Sequence, residues 1–252
     1  MTLRMAFVSP LYLAGGGDPA WVTVPLHRAC GWSHGHDPLQ PRVLLSSPDQ
    51  KVLLRLEPKA DGPWWTIQHA RTADQPAWYA SFGARTPVEI IAGFTDALTD
   101  LTADRADDWD PQEPLLNAGW SPAYGHHRLA SPDRTARVEA DWTSGSWWVD
   151  TALRDFRSPQ WQAHFSEHTP PHLITAFTAA LADPRPVPRT ADPSSLPTHD
   201  PDLITLSHRE VPATQAAAAL KDRIRSLAAR RSGPPASTSP PQRPQAERHR
   251  LR

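Results

Sequence analysis

WWTIQHARTADQPAWYASFGARTPVEIIAGFTDALTD, residues Trp64 to Asp100, lies without gaps on WWVDTALRDFRSPQWQAHFSEHTPPHLITAFTAALAD, residues Trp147 to Asp183, with 15 of 37 positions identical at an offset of 83. Identity held over that length at one offset marks an internal duplication, which has to be recognised before any element is assigned. The retained positions include the doublets Trp64-Trp65 and Trp147-Trp148, the pairs Trp78/Trp161, Ala80/Ala163 and Phe82/Phe165, and Thr86-Pro87 with Thr169-Pro170. Upstream the likeness continues with small length changes, as loops allow. Ser47-Pro48-Asp49 matches Ser131-Pro132-Asp133, Arg55-Leu56-Glu57 matches Arg137-Val138-Glu139, and Gly31-Trp32 matches Gly119-Trp120.

Local patterns assign the elements of each copy. Val52, Leu54 and Leu56 alternate with Leu53, Arg55 and Glu57, and Ala136, Val138 and Ala140 alternate with Arg137 and Glu139. A period of two is that of a half-buried strand. The Ser-Pro-Asp in front of it places proline and aspartate where a type I turn favours them, joining it as a hairpin to a strand over Arg42 to Leu45. A third strand holds each tryptophan doublet. A fourth sets Trp78, Ala80 and Phe82 on one face, repeated by Trp161, Ala163 and Phe165. The closing helix starts at Thr86 as N-cap, with Pro87 in the first helical position and Glu89 completing a capping box; His172 replaces the glutamate in the second copy. Ile91, Phe94 and Leu98, and again Ile174, Phe177 and Leu181, form an apolar stripe for the sheet. A shorter helix ends near Gly31 and Gly119. The expected fold class is α+β, with two tandem α-β-β-β-β-α modules carrying antiparallel sheets, followed by a C-terminal helix and a disordered tail.

Leu45-Ser46-Ser47-Pro48-Asp49, Trp78-Tyr79-Ala80-Ser81-Phe82, and the stretch from Val8 to Asp18 resemble the SPDY domain family, the actinobacterial domain of unknown function 317. The resemblance reaches through both repeats to about Asp183. It implies two tandem domains in a bacterial intracellular setting and carries no assigned activity. Gln50 and Arg134 stand where the family's name-giving tyrosine would, so no role for that tyrosine transfers.

Outside the repeats the composition changes. The divisions expected are an N-terminal segment 1–20, a first module 21–103, an acidic linker 104–113, a second module 114–184, a proline-rich linker 185–211, a basic helix 212–231 and a disordered tail 232–252. The linker between the copies holds Asp104, Asp107, Asp108, Asp110 and Glu113. The second linker has Pro186, Pro188, Pro193, Pro197 and Pro201 among small polar residues and reads as semi-extended. The helix is alanine-rich and sets Leu220, Ile224 and Leu227 on one side. From Lys221 to Arg252 there are nine basic and two acidic residues, a balance of +7, so the net −1 of the whole chain leaves −8 for residues 1–220. The body is acidic and the end is basic.

The single cysteine, Cys30, excludes an intramolecular disulfide framework and points to a reducing compartment. Pro10 and the glycines at 15 to 17 interrupt the N-terminal apolar run before a signal core is complete, and no apolar run approaches the roughly 20 residues a membrane helix needs. The expected setting is cytoplasmic, without a membrane partner.

Histidines cluster as His34/His36, His126/His127 and His164/His168/His172, yet none shows zinc-ligand spacing, and Pro170-Pro171 breaks any helix that would align the last three. No Gly-x-Ser-x-Gly elbow or phosphate loop is present. No metal, cofactor or catalytic residue is therefore expected, and the reading leans away from an enzyme. The informative residues are Trp64, Trp65, Trp147 and Trp148, because neighbours in a strand face opposite ways and one of each pair cannot enter its own module's core. The other is covered by the second repeat or lines a recognition surface, where tryptophan is enriched. The preferred expectation is a non-catalytic protein-binding or regulatory module with an unidentified protein partner. The alternative is a nucleic-acid-associated protein whose tail contacts phosphates through Arg223, Arg225, Arg230 and Arg231.

Overall fold

A computed structural model describes residues 2–35, 42–100, 108–123, 127–153, 156, 158–190 and 196–232. In chain order, β1 (Thr2–Ser9) and a 3-10 turn (Leu11–Leu13) lead into the first copy: α1 (Ala20–Cys30), β2 (Ser33–Gly35), β3 (Val43–Ser46), β4 (Val52–Leu56), β5 (Trp65–His69), β6 (Trp78–Phe82) and α2 (Val88–Leu98). The second copy repeats the order as α3 (Glu113–Asn117), β7 (Ser121–Pro122), β8 (Arg128–Ala130), β9 (Ala136–Asp141), β10 (Ser146–Thr151), β11 (Trp161–Phe165) and α4 (Pro171–Leu181). After it come β12 (Val187–Thr190), β13 (Thr205–Pro212) and α5 (Ala213–Arg231). The fold is α+β. Each copy has five strands rather than four, the extra one being the short β2 or β7 that follows the helix-ending glycine.

The two copies form one sheet. Its order is β2-β3-β4-β5-β6-β11-β10-β9-β8-β7, antiparallel throughout, with the seam at β6 and β11, where Phe82 pairs with Ala163 and Ala80 with Phe165. This order is a palindrome in the repeat, so a pseudo-two-fold passes through the seam. The apolar side chains of both halves lie on one face, under α2 and α4, and merge into a single core. At its centre Phe82, Phe94, Phe165 and Phe177 stack or meet edge-on at centroid distances of 4.9 to 5.8 Å. The closing helices approach closely enough that a Cβ on Gly93 would lie 2.7 Å from Ala180 Cβ.

Register corrects the gapless alignment of the duplication. Ile67 lies opposite Ala80, and Val149 opposite Ala163, so β5 maps on β10 with an offset of 82, although β6 maps on β11 with 83. The hairpin loop between β10 and β11 is one residue longer. Trp65 is consequently equivalent to Trp147, and Thr66 to Trp148; the doublets match as letters and not as positions. Upstream, Leu54 lies opposite Ile67 and Val138 opposite Val149, an offset of 84, which pairs Arg55 with Glu139 rather than with Arg137.

The Ser-Pro-Asp turns form as expected. Gln50 N donates to Ser47 O at 2.9 Å, Ser47 Oγ donates to Asp49 Oδ1 at 2.6 Å, and Val52 N donates to Ser47 Oγ at 2.9 Å; Arg134, Ser131, Asp133 and Ala136 repeat the pattern. Gln50 and Arg134 take the left-handed conformation, with φ of 59° and 60°, that closes this turn.

The capping box does not form. Thr86 Oγ1 is buried without a partner, and Glu89 is drawn to Arg189 instead. The free N–H of Val88 at the start of α2 is satisfied from elsewhere in the chain, by Gly16 O at 2.8 Å.

The stretch expected to be a proline-rich linker, 185–211, is also corrected. β12 and β13 flank β1 in a three-stranded antiparallel sheet, so the N-terminal segment and the chain after the second copy are built together. Prolines fit here because they fall at strand ends and on an edge strand. α5 packs on α1, burying Leu227. The tail beyond residue 232, expected to be disordered, lies outside the described residues.

Candidate functional site

Opposite the helices, the ten-stranded sheet leaves one face open, and a single rung of paired residues crosses nine of its strands. The rung runs Gly35, Leu44, Arg55, Thr66, Ser81 in the first copy and continues His164, Trp148, Glu139, Arg128 in the second. The two-fold pairs Ser81 with His164, Thr66 with Trp148, Arg55 with Glu139 and Leu44 with Arg128. Chemistry has diverged across it: the second half presents an aromatic pair and an ion pair where the first has Ser81, Thr66, Arg55 and Leu44.

Trp148 is 42% exposed, and its ring lies 3.9 Å from that of His164. Tyr79, 43% exposed, reaches diagonally over the seam to His164 at 5.3 Å. Burial under these rings holds the His164 imidazole below its ordinary pKa, so the neutral form is favoured. Beyond Trp148, Arg128 Nε donates to Glu139 Oε2 at 2.9 Å. On the neighbouring rung Gln162 Nε2 donates to Asp150 Oδ1 at 2.7 Å, and the Arg137 guanidinium covers the Phe156 ring. The result is an aromatic centre straddling both copies with a polar border.

Of the four tryptophans singled out in sequence, only Trp148 belongs to this surface. Trp65 is 2% exposed in the core, Trp147 is half-buried against it, and Trp64 is half-buried with its indole N–H donating to Lys59 O at 2.9 Å. Tyr79 and His164 were missed, although the alternation that buries Trp78 and Ala80 already placed Tyr79 on the opposite face.

The tail arginines are mostly turned inward. Arg223 donates to both Asp96 oxygens at 2.7 and 3.0 Å and to Trp21 O at 2.8 Å; Arg230 reaches Asp96 at 3.1 Å, and Arg231 donates to Thr99 O at 3.1 Å. Arg225, whose partner among the described residues is Asp222, faces solvent. An i, i+4, i+7 apolar stripe could have warned that arginines flanking Leu220, Ile224 and Leu227 would be drawn toward the body.

The histidines are dispersed. His168 lies 4.0 Å from Glu167, His172 is near Trp109, His127 is near Trp142, and His34 lies in β2; His36 and His126 lie outside the described residues. Among the described residues no three His, Cys, Asp or Glu side chains stand close enough to hold a metal ion. No described helix is long and apolar enough to cross a membrane.

A second feature is a cleft of about 910 Å³ at the end of β4, β5 and β6, bounded by Gln50, Lys51, His69, Trp78 and, from the other copy, Ser166 to His168. His69 stacks parallel on Trp78 at 5.6 Å with its Nδ1 buried and unpartnered, and burial lowers its pKa.

No curated protein and no solved structure matches the chain. Residues 46–103 and 130–187 each match the family model SPDY, described as a domain of unknown function (DUF317). Both matched stretches begin at the last residue of β3 or β8, run through the Ser-Pro-Asp turn and three strands, and take in the closing helix. With its two halves joined at the β6–β11 seam into one sheet, the chain carries two tandem copies of the SPDY domain.

Proposed function

We propose that the chain is a non-catalytic protein-binding or regulatory module whose contact surface is the open face of the ten-stranded sheet. The observation that carries this reading is Trp148, held exposed against His164 in the middle of that face. An open tryptophan on a rigid sheet loses little conformational freedom on contact and offers a large apolar area, which is why such residues dominate binding energy. Tyr79 extends the apolar patch over the seam, so a partner would engage both copies at once. The interior location suggested by the lone cysteine, and a cytoplasmic setting, belong to the same reading.

With a partner isolated on the tagged chain, Trp148→Ala is expected to weaken its binding by at least about tenfold, in the range of an interface hot spot. The thermal midpoint should stay within a degree or two, because the ring is not part of the core. Full retention of the partner by Trp148→Ala would remove this face from consideration.

The nucleic-acid reading makes a separate demand. Three of the four arginines proposed to contact phosphate are bonded to the first copy, and the fourth, Arg225, pairs with Asp222 on its own helix, so the body should not bind nucleic acid. A cut at residue 200 would delete β13 and α5, whereas a cut after Ser232 keeps both. Residues 1–232 are expected to shift no DNA or RNA in a gel, and any shift by the full chain should vanish steeply with salt. Tight, salt-resistant binding by residues 1–232 would overturn the protein-binding reading.

A further inference from the structure

The two-fold that relates the copies relates two clefts, and one of them is filled by the chain itself. Beside the second copy, the segment from Leu11 to Gly17 passes between Trp161 and the Ser131-Pro132-Asp133 turn on one side and Ala84 to Val88 on the other. Trp161 Nε1 donates to Tyr12 O at 2.9 Å, and Tyr12 OH donates to Asp133 Oδ2 at 3.0 Å. Tyr12 also meets Trp120 edge-on at 5.9 Å, and Gly16 lies against Ala84 O. Tyr12, Leu13 and Ala14 are buried, and burial beside Asp133 drives the Tyr12 phenol pKa up, so the hydroxyl stays a donor.

Each wall of that cleft has a mate in the first copy. Trp161 maps on Trp78, Asp133 on Asp49, Ser131 on Ser47, Thr135 on Lys51 and Arg134 on Gln50. The wall from the opposite copy, Gly83 to Arg85, maps on Ser166 to His168. Of these mates Gln50, Lys51, Trp78 and Ser166 to His168 line the cleft of about 910 Å³ described above, and Ser47 and Asp49 belong to the turn that ends at Gln50. The equivalence extends to hydrogen bonding at the seam, where Gly83 N donates to Gln162 O at 2.8 Å and Ser166 N donates to Tyr79 O at 2.9 Å.

Among the described residues no segment is inserted in the first cleft. Among the described residues Trp78 Nε1 has no acceptor. Asp49 Oδ1 takes Ser47 Oγ and Lys51 N as Asp133 Oδ1 takes Ser131 Oγ and Thr135 N, but Asp49 Oδ2, the mate of the oxygen that receives Tyr12, meets only the exposed Lys51 ammonium at 3.8 Å. The chain's own sequence between α2 and α3, Thr99 to Gln112, contains no tyrosine that could donate to it.

We propose that the cleft of the first copy is a binding site for a tyrosine-bearing peptide segment of a partner protein, seated as Leu11 to Gly17 is seated in the second. The tyrosine hydroxyl donates to Asp49 Oδ2, and its own backbone carbonyl accepts from Trp78 Nε1. The carboxylate acceptor selects the unmodified phenol, since a phosphate there would meet a negative charge it cannot bond. This site does not rest on the open-face reading: it uses the end of the sheet and needs neither Trp148 nor His164, although Tyr79 lines the cleft as well as the patch.

The probe is the heptapeptide Ser-Pro-Leu-Tyr-Leu-Ala-Gly, which copies Ser9 to Gly15, titrated into the full chain. Calorimetry is expected to give one site. The indole resonance of Trp78, assigned by its loss in Trp78→Phe, should move as its N–H gains an acceptor. Replacing the peptide tyrosine by phenylalanine should weaken binding by roughly tenfold or more, as expected for loss of a hydrogen bond to a charged group, and phosphotyrosine should abolish it. Asp49→Asn, which keeps an acceptor for the turn, should weaken the tyrosine peptide and leave the phenylalanine peptide unchanged; Trp148→Ala should bind both as the native chain does. The proposal is overturned if no binding occurs at millimolar peptide, if phenylalanine or phosphotyrosine binds as well as tyrosine, or if the peptide shifts Trp161 by displacing Tyr12. Self-association of the chain without peptide, abolished by Asp49→Asn, would instead assign the cleft to a second copy and also overturn it.

Discussion

Trp161→Ala is expected to destabilise the protein by about 3–5 kcal/mol, the range for removing a large ring from a packed core. The ring is 3% exposed, on the buried face of β11. Its indole N–H is also the only one of the symmetry-related pair that holds the N-terminal segment, through Tyr12 O. The same change at Trp78, 5% exposed and stacked on His69, removes a comparable ring with no such bond. Trp161→Ala should therefore cost at least as much as Trp78→Ala and should additionally raise amide exchange in β1 and the turn that follows it. At ordinary urea slopes of about 1–3 kcal/mol/M, its unfolding midpoint should fall by more than about 1 M. An unchanged midpoint would mean that the ring is not in the core and that the N-terminal segment is held by other contacts.

The elements of each repeat could be read from sequence because their signals are local. Period-two alternation gave β4 and β9, Ser-Pro-Asp gave the turn, and the stripe of Ile91, Phe94 and Leu98 gave α2. Gly31 and Gly119 ended their helices as expected, with φ of 72° and 82°. Family likeness was carried by the same stretches. What could not be read was who pairs with whom. Nothing in Trp-Tyr-Ala-Ser-Phe says that β6 will meet β11 rather than remain an edge, since a strand offers the same backbone donors and acceptors to any partner. β1 ends at Ser9, whereas its partners β12 and β13 begin at Val187 and Thr205, and no turn signal announces the pairing; Pro188 within β12 concealed it further.

The candidate surface illustrates the cost of a one-residue error. In a strand, shifting the register by one moves every side chain to the opposite face. Matching Trp64-Trp65 to Trp147-Trp148 by identity made the doublets equivalent, whereas the longer loop between β10 and β11 puts Trp148 where Thr66 stands. That slip is what exposes Trp148, and the residue lost to view by trusting the letters was its neighbour across the strand, His164. The capping box failed for a different reason. Glu89 had the right spacing for Thr86, but a guanidinium from a strand 100 residues away offers it two charge-assisted bonds, which outweigh one bond to a backbone N–H.

That guanidinium is the second place where a single change should be felt strongly. Arg189, on β12, is 7% exposed and has every N–H direction occupied. Nε donates to Ala14 O at 2.9 Å; one terminal nitrogen donates to Glu89 Oε1 at 2.7 Å and Pro188 O at 2.9 Å; the other donates to Glu89 Oε2 at 2.8 Å and Gly15 O at 3.0 Å. Gly17, with φ of 81°, leaves the room this requires, since a Cβ there would stand 3.3 Å from the Arg189 Cζ. One side chain thus ties the N-terminal segment, the first turn of α2 and the chain after the second copy. Arg189→Ala strands the Glu89 carboxylate and leaves three backbone carbonyls short of donors, so it is expected to cost about 3–5 kcal/mol, the range for breaking a buried pair from one side. Arg189→Lys should recover little, because an ammonium cannot make the two parallel bonds to the carboxylate. The double replacement Arg189→Met with Glu89→Met removes both charges together and should be markedly less damaging than Arg189→Ala, since the penalty lies in the unpaired charge more than in the lost attraction. Chemical unfolding of the three variants separates these terms. A double variant as unstable as Arg189→Ala would show that the backbone carbonyls, rather than Glu89, set the cost; an Arg189→Ala protein as stable as the native chain would show that β12 is not fastened to α2 at all.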